Sequence, residues 1–202
     1  MKLLLFSDIH NDFVRLGELL SIEADYYVAA GDTVTWERGY EDAGQVLRTR
    51  GKQVLMLPGN HESAARMAAL CHKFGLRYFH EQSIEIEGFH VAGLGYSNPT
   101  PFNTPGEYSE REMASHLEPF AALNPLILVC HCPPRNTRLD RVREGVHAGS
   151  QAVADFIARR QPRLFFCGHI HEAGGVEERI GSTVARNLGK QGYLLDFGKL
   201  KS

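Results

Sequence analysis

Residues 1–75 alternate between short apolar runs and amphipathic segments, and this alternation limits the folds open to the chain. The apolar runs are continuous, as in strands that are buried on both faces. They lie at residues 2–6, 26–30 and 53–57, and segments with helical spacing follow at residues 12–22, 41–49 and 63–74. A β-α-β-α-β-α order requires a parallel sheet with right-handed crossovers. The pattern therefore predicts an α/β fold.

The rest of the chain has shorter apolar runs, some of them alternating. Antiparallel strands are predicted at residues 78–79, 83–87 and 89–94, and later strands at residues 126–130, 163–167, 175–179, 182–187 and 192–197. Ser109 with Glu112 forms a capping-box signature for one helix, and Ser150 caps another that ends near Arg160. Residues 95–108 and 132–149 are predicted loops. Because no repeat or break in composition is present, one domain over residues 1–202 is expected.

Charge and cysteine usage narrow the class of protein. The net charge of −2 and the scattered basic residues argue against a nucleic-acid partner. No apolar run is long enough to cross a membrane, and the run at residues 1–6 is too short for a signal peptide. The four cysteines form no Cys-x-x-Cys pair, so reduced, buried thiols and a cytoplasmic location are expected.

Residues able to bind metal follow five of the predicted strands. They are Asp8 and His10, Asp32, Asn60 and His61, His131, and His169 and His171. Residues i and i+2 of an extended segment share a face, so each spaced pair can point into one space. Any single member could be a capping aspartate or a core histidine. Their recurrence at five strand ends favours a metal site.

The residue types indicate which ions such a site would hold. Imidazole, carboxylate and amide oxygen suit Mn, Fe, Co, Ni or Zn. These candidate ligands exceed what one tetrahedral zinc ion uses, so two divalent ions sharing a carboxylate are predicted. Cys130 and Cys132 flank His131, but strand alternation points them away from the side of His131. Two divalent ions against two carboxylates leave a positive pocket that would attract phosphate.

In order and spacing, these residues resemble the calcineurin-like metallophosphoesterases. The resemblance runs from residue 3 to about residue 190, and it implies a four-layer α/β/β/α sandwich of two mixed sheets. It is carried by Asp8-Ile9-His10, Gly31-Asp32, Gly59-Asn60-His61-Glu62, His131 and Gly168-His169-Ile170-His171. Three further stretches are similar to small prokaryotic phosphoesterases related to bacterial cyclic-nucleotide phosphodiesterases. They are Thr100-Pro101-Phe102, His147-Ala148-Gly149-Ser150 and the segment at residues 168–172.

The resemblance also implies a role for each residue. Asp8, His10 and His171 would hold one ion, and Asn60, His131 and His169 the other. Asp32 would bridge both ions, with manganese the favoured metal. His61 would bind the phosphate and protonate the leaving oxygen, while a bridging hydroxide attacks phosphorus.

Two positions depart from the protein-phosphatase branch of that family. Thr35 stands where that branch has a carboxylate that orients the histidine acid, and Trp36 stands where it has an arginine. These departures argue against a protein serine/threonine phosphatase. They also leave His61 without an evident partner to orient it.

The function predicted is hydrolysis of a small-molecule phosphodiester, a cyclic nucleotide being one candidate, or of a phosphomonoester. Substrate contacts are expected from Asn60 and His61 and from the loops. The loop residues concerned are Tyr96, Asn98, Arg135, Arg138 and His147. A nuclease and a non-catalytic scaffold with the same fold are the alternatives. The oligomeric state stays open.

Overall fold

The computed structural model describes residues 1–200, which contain five α-helices and thirteen β-strands. The helices are Phe13–Ser21 (α1), Tyr40–Leu47 (α2), Ala64–Phe74 (α3), Glu110–Leu117 (α4) and Gln151–Arg160 (α5). The strands are Lys2–Phe6 (β1), Tyr26–Ala30 (β2), Val54–Leu57 (β3), Arg77–Tyr78 (β4), Gln82–Ile86 (β5), Phe89–Leu94 (β6), Leu126–Cys130 (β7), Arg141–Arg143 (β8), Val146–His147 (β9), Leu164–Cys167 (β10), Glu177–Ile180 (β11), Thr183–Asn187 (β12) and Tyr193–Asp196 (β13).

Two mixed sheets dominate the architecture. The first sheet has the order β13-β1-β2-β3-β4, with β1 to β4 parallel and β13 antiparallel at the edge. The second has the order β11-β12-β10-β7-β6-β5, with four parallel strands between two antiparallel edge strands. A separate hairpin joins β8 and β9. The predicted βαβ units thus form the parallel part of the first sheet.

Three apolar clusters show how the layers stack. Leu3 and Leu5 of β1 lie in the central cluster with Val129 of the second sheet, so the two sheets face each other. Leu4 and Phe6 point the opposite way and pack with α1, α2 and α3. The outer face of the second sheet packs on α4 and α5 in the third cluster. The fold is therefore the expected four-layer α/β/β/α sandwich.

Most helices and strands lie where the sequence predicted them. Both parts of the capping box between Ser109 and Glu112 are formed, and the Ser150 hydroxyl accepts a hydrogen bond from Val153 N at 3.3 Å. All four cysteines are buried and unpaired. None of the helices within residues 1–200 is long and apolar enough to span a membrane.

Two expectations about local structure were wrong. The strand expected at residues 78–79 as antiparallel is β4, which pairs in parallel with β3 because the chain returns through α3. Residues 132–149 were expected to be a loop, but they contain the β8–β9 hairpin. The strand pair was not predicted because the segment is polar and rich in arginine. An exposed hairpin needs few apolar residues, so it leaves little pattern in the sequence.

Candidate functional site

The loops after β1, β2, β3, β7 and β10 converge at one edge of the facing sheets. Three overlapping groups of side chains there have potential ligand atoms within 4.8 Å of one another. The groups are Asp8 with His10 and His171, His10 with Asp32 and His61, and Asp32 with His131 and His169. The structure therefore brings together residues from both halves of the chain, as the sequence predicted.

Asp32 connects the two sides of this cluster. One of its oxygens, Oδ2, lies 3.5 Å from His10 Nε2 and 3.4 Å from His131 Nε2. On one side, His10 Nε2 lies 3.0 Å from His171 Nε2, and His171 Nε2 lies 3.6 Å from Asp8 Oδ1. Two imidazole nitrogens that face each other this closely need a proton or a cation between their lone pairs.

Asn60 completes the other side. Its Oδ1 lies 3.3 Å from His131 Nε2 and 2.9 Å from His169 Nδ1. The other ring nitrogen of His131, Nδ1, lies 2.9 Å from the carbonyl oxygen of Ala30. A neutral His131 that donates Nδ1–H to this carbonyl keeps the Nε2 lone pair directed at Asp32 and Asn60. Such a backbone partner fixes the tautomer that a metal-ligating histidine needs.

The backbone around the cluster adopts costly conformations. Asp8, His10, Asp32 and His169 have φ of 57°, 48°, 53° and 68°, in the left-handed region that non-glycine residues rarely occupy. Such conformations persist where the surrounding structure enforces them, and they concentrate at functional sites. A Cβ on Gly59 would also overlap the Asp32 carboxylate, so only glycine allows this close approach.

Burial and mutual charge shift the titration of the cluster. Burial alone would raise the pKa of Asp32, but His131, His10 and His61 together lower that pKa below its ordinary value. Burial would likewise lower the pKa of His131, yet Asp32 raises it to about 9. Burial lowers the pKa of His169 to about 4. The buried carboxylates are therefore ionised, and protons on neighbouring imidazoles balance their charge. Divalent cations could take the place of these protons.

Glu62 is a site residue to which sequence analysis assigned no role. Its buried carboxylate accepts hydrogen bonds from Asp32 N (3.1 Å), Val34 N (2.9 Å) and Gly59 N (2.8 Å). It thereby ties the turn after β2 to the turn after β3. Burial and the Asp32 carboxylate raise the pKa of Glu62 to about 8. Its place directly after His61 was the one available signal.

A backbone amide takes the place of the missing carboxylate beside His61. Trp36 N donates to His61 Nδ1 at 3.3 Å, so a neutral His61 ring carries its proton on Nε2. The ring also lies edge-on to His10 and to Trp36, with centroids 5.0 and 5.2 Å away. Thr35 instead contacts His10, with 3.1 Å between Thr35 Oγ1 and His10 Nδ1.

The cluster opens into a cavity of about 450 Å³. Its lining comprises Asp32, Asn60, His61, His169, Ile170, His171 and Glu172 from the strand ends, with Pro99, Thr100, Pro101, Phe102, Val142 and Ala148 from two loops. Arg135 and His147, two of the expected substrate contacts, are not among these lining residues of the described chain. His147 Nδ1 instead lies 2.7 Å from the buried Asp140 carboxylate.

The other expected substrate contacts serve structural roles or lie apart from this cavity. The Tyr96 hydroxyl accepts the N–H of Ala64 at the start of α3, at 2.9 Å. Asn98 Oδ1 accepts a hydrogen bond from Cys132 Sγ at 3.1 Å. Arg138 is exposed, and its backbone N–H donates to Glu178. Of the expected substrate contacts, Asn60 and His61 line the cavity, whereas the five residues expected from residues 95–108 and 132–149 do not.

Carboxylate oxygens, imidazole nitrogens and one amide oxygen suit first-row divalent cations. In three overlapping groups, two of which share Asp32, such atoms lie within 4.8 Å of one another, close enough to hold ions between them. A family model described as calcineurin-like phosphoesterase matches residues 1–173. The uncharacterized protein MJ1162 of Methanocaldococcus jannaschii is 31% identical over 201 residues, covering 96% of this chain and 91% of that protein.

Solved structures share the fold at lower sequence identity. TT1561 of Thermus thermophilus has a TM-score of 0.71 at 17% identity, covering 96% of this chain and 98% of its own. Phosphopantetheinyl hydrolase (PptH) of Mycobacterium tuberculosis has a TM-score of 0.67 at 16% identity, covering 93% of this chain and 88% of its own. At these identities the structures establish the fold alone.

Proposed function

The chain belongs to the calcineurin-like phosphoesterase family, and on this basis we propose that it hydrolyses a small-molecule phosphodiester with two divalent metal ions. The carrying observation is the set of three overlapping donor groups, two of which share Asp32. Asp8, His10 and His171 would hold one ion, and Asn60, His131 and His169 the other. Asp32 Oδ2, within 3.5 Å of His10 Nε2 and 3.4 Å of His131 Nε2, would be shared.

The proposed chemistry divides between the ions and the chain. When bound, two divalent ions lower the pKa of a water molecule towards neutrality and offset charge on phosphoryl oxygens. His61, held by Trp36 N–H on Nδ1, presents Nε2–H to the substrate. That N–H would donate a hydrogen bond to the leaving oxygen and stabilise the negative charge that develops on it. The fixed turns after β2 and β3 keep Asp32 and His61 together, since His61 N donates to Asp32 Oδ1 at 3.0 Å.

The charge of the cavity supports a diester over a monoester. The part of its lining that lies within residues 1–200 includes no lysine or arginine, and Glu172 adds a carboxylate. A phosphodiester carries one negative charge, whereas a monoester approaches two near neutral pH. The same lack of basic residues disfavours nucleic acid, whose binding needs several phosphate contacts from lysine or arginine.

The test is hydrolysis of matched esters by protein loaded with Mn²⁺. We expect turnover of bis(p-nitrophenyl) phosphate to exceed that of p-nitrophenyl phosphate. His61→Ala should keep its metals and slow an alkyl leaving group by about 10²-fold or more, with a smaller effect on nitrophenolate. The control is His72→Ala, since His72 is exposed on α3.

Three outcomes would change the proposal. A preference for the monoester would overturn the diester assignment. Equal losses for both leaving groups in His61→Ala would place the His61 hydrogen bond on another phosphate oxygen and not on the leaving oxygen. Full metal loading without hydrolysis of any ester would favour a non-catalytic scaffold.

A further inference from the structure

Two loops give the cavity apolar walls, although Thr100 and Glu172 also belong to its lining. Pro99, Pro101 and Phe102 come from the loop between β6 and α4, and Val142 and Ala148 come from the β8–β9 region. Phe102 is 70% exposed, among the highest values for a large apolar side chain in the described residues. Scattered exposed apolar residues are normal, but here they line the same cavity as His61 and His171.

A carboxylate fixes the loop that carries Phe102. Glu107 Oε1 accepts hydrogen bonds from Thr100 Oγ1 (2.7 Å), Thr104 Oγ1 (2.6 Å) and Thr104 N (2.8 Å). Phe102 N in turn donates to Thr100 Oγ1 at 3.2 Å. Both ends of the segment at residues 100–104 are therefore held by one group. The exposed phenylalanine sits on a preorganised turn.

The same loop is attached directly to a proposed metal ligand. Asn60 Nδ2 lies 3.2 Å from Thr104 Oγ1, and Gly106 N donates to the Asn60 carbonyl at 2.9 Å. Ser97 N donates to Gly106 O at 3.1 Å, which closes the base of the loop. The position of Phe102 is thus linked to that of Asn60 through a short chain of hydrogen bonds.

A second buried carboxylate fixes the opposite wall. Asp140 accepts hydrogen bonds from Thr137 N (2.9 Å) and Gly149 N (2.9 Å), and it pairs with His147. These contacts hold both ends of the β8–β9 hairpin. Along β8, Arg141 and Arg143 are exposed while Val142 between them lines the cavity, as strand alternation requires. The hairpin therefore offers the cavity an apolar side chain and keeps its charges outside.

We propose that Pro99–Phe102 and Val142 form a slot for an apolar, preferably aromatic, ester substituent of the substrate. The inference rests on the proposed hydrolase function and adds the chemistry of the group next to the phosphate. Phe102 is the residue that sets this preference, since its ring is exposed and its backbone is held. In this slot, a polyphosphate or a sugar phosphate would place charge or hydroxyl groups against the side chains of Pro99, Pro101, Phe102 and Val142, which offer no hydrogen-bond partner.

The test separates binding from hydrolysis. Dimethylphosphinate and methyl(phenyl)phosphinate are both monoanions without an ester bond, and they differ by one ring. Their dissociation constants for the Mn²⁺-loaded protein are measured through the fluorescence of Trp36, the single tryptophan of the chain. We expect the phenyl probe to bind about 10-fold more tightly. Phe102→Ala should reduce this ratio by about 3- to 10-fold, and Phe102→Leu by less.

Val14→Ala is the matched control, because Val14 is 78% exposed on α1, outside the cavity lining. It should leave the ratio unchanged. Equal binding of the two probes, binding of neither, or an unchanged ratio in Phe102→Ala would overturn the slot. Bis(p-nitrophenyl) phosphate and methyl p-nitrophenyl phosphate are then compared as substrates. If the phenyl probe binds more tightly as expected but neither ester is hydrolysed, the hydrolase function is refuted and the slot is retained. If both esters are hydrolysed but the two probes bind equally, the slot is refuted and the hydrolase function is retained.

Discussion

Replacing Glu62 by glutamine tests whether one buried carboxylate holds the two central turns of the site. Glu62 is fully buried, and its two oxygens accept three backbone N–H groups. Two of these donors, Asp32 N and Gly59 N, share Oε2. A glutamine can place its carbonyl oxygen there. Its amino group then faces Val34 N, so that two donors oppose each other.

The magnitude follows from the bond that is lost. A typical hydrogen bond contributes about 0.5–1.5 kcal/mol, and a buried N–H left without an acceptor costs about 1–3 kcal/mol. We expect Glu62→Gln to lower the free energy of unfolding by about 3 kcal/mol. Such a loss is a large fraction of the stability of a typical domain, which is about 5–15 kcal/mol. Displacement of the Asp32 turn should also weaken metal binding about 10- to 100-fold.

Urea unfolding of the metal-free protein, followed by circular dichroism, measures the first effect. The measurement is made at pH 7, below the raised pKa of Glu62, because ionisation of the buried group above that pKa destabilises the wild-type fold and would mask the loss. Glu118→Gln is the control, because that side chain is 58% exposed and its ion pair with Arg159 contributes little. Calorimetric titration with Mn²⁺ at pH 7.5 measures the second effect. A stability within about 0.5 kcal/mol of the wild type would refute the bracing role of Glu62.

Three other predictions concern Asp32, His80 and Asp140. Asp32→Asn should reduce the bound metal to at most one ion by elemental analysis and abolish hydrolysis; retention of two ions would contradict the shared ligand. Burial lowers the pKa of His80 to about 4, below its unfolded value of 6.5, so stability should fall as pH drops through that window. Between pH 7 and pH 4 the wild type should lose about 3 kcal/mol of unfolding free energy, and His80→Asn should lose less. An equal loss in both proteins would show that His80 does not cause it. Asp140→Asn should speed amide exchange in residues 141–149, whereas unchanged exchange there would show that the hairpin is held by other contacts.

The elements and most proposed ligands could be predicted because their signals are local. Continuous apolar runs mark strands buried between layers, and residues directly after parallel strands share one edge of a sheet. Asp8, Asp32 and Asn60 follow such strands, so their convergence needed no knowledge of distant contacts. The fold class followed from the same alternation of strand and helix.

Partners supplied by backbone groups could not be predicted, because any residue type carries an N–H and a carbonyl. Trp36 N on His61, Ala30 O on His131 and the three amides on Glu62 belong to this class. Because Thr35 stands where a carboxylate was expected, the sequence suggested that no side chain orients His61. The tertiary structure provides that orientation through an amide one residue further on.

The sequence by itself determined the order of elements, the α/β class and the residues at the strand ends. Only the tertiary structure decided which sheet edge joins Asp32 to His131, 99 positions later, and which loop side chains face the cavity. It placed Phe102 and Val142 in the cavity lining, and His147 against Asp140. Periodicity records whether a side chain is buried, whereas its direction in a loop depends on hydrogen bonds to groups such as Glu107 and Asp140 that lie elsewhere in the fold.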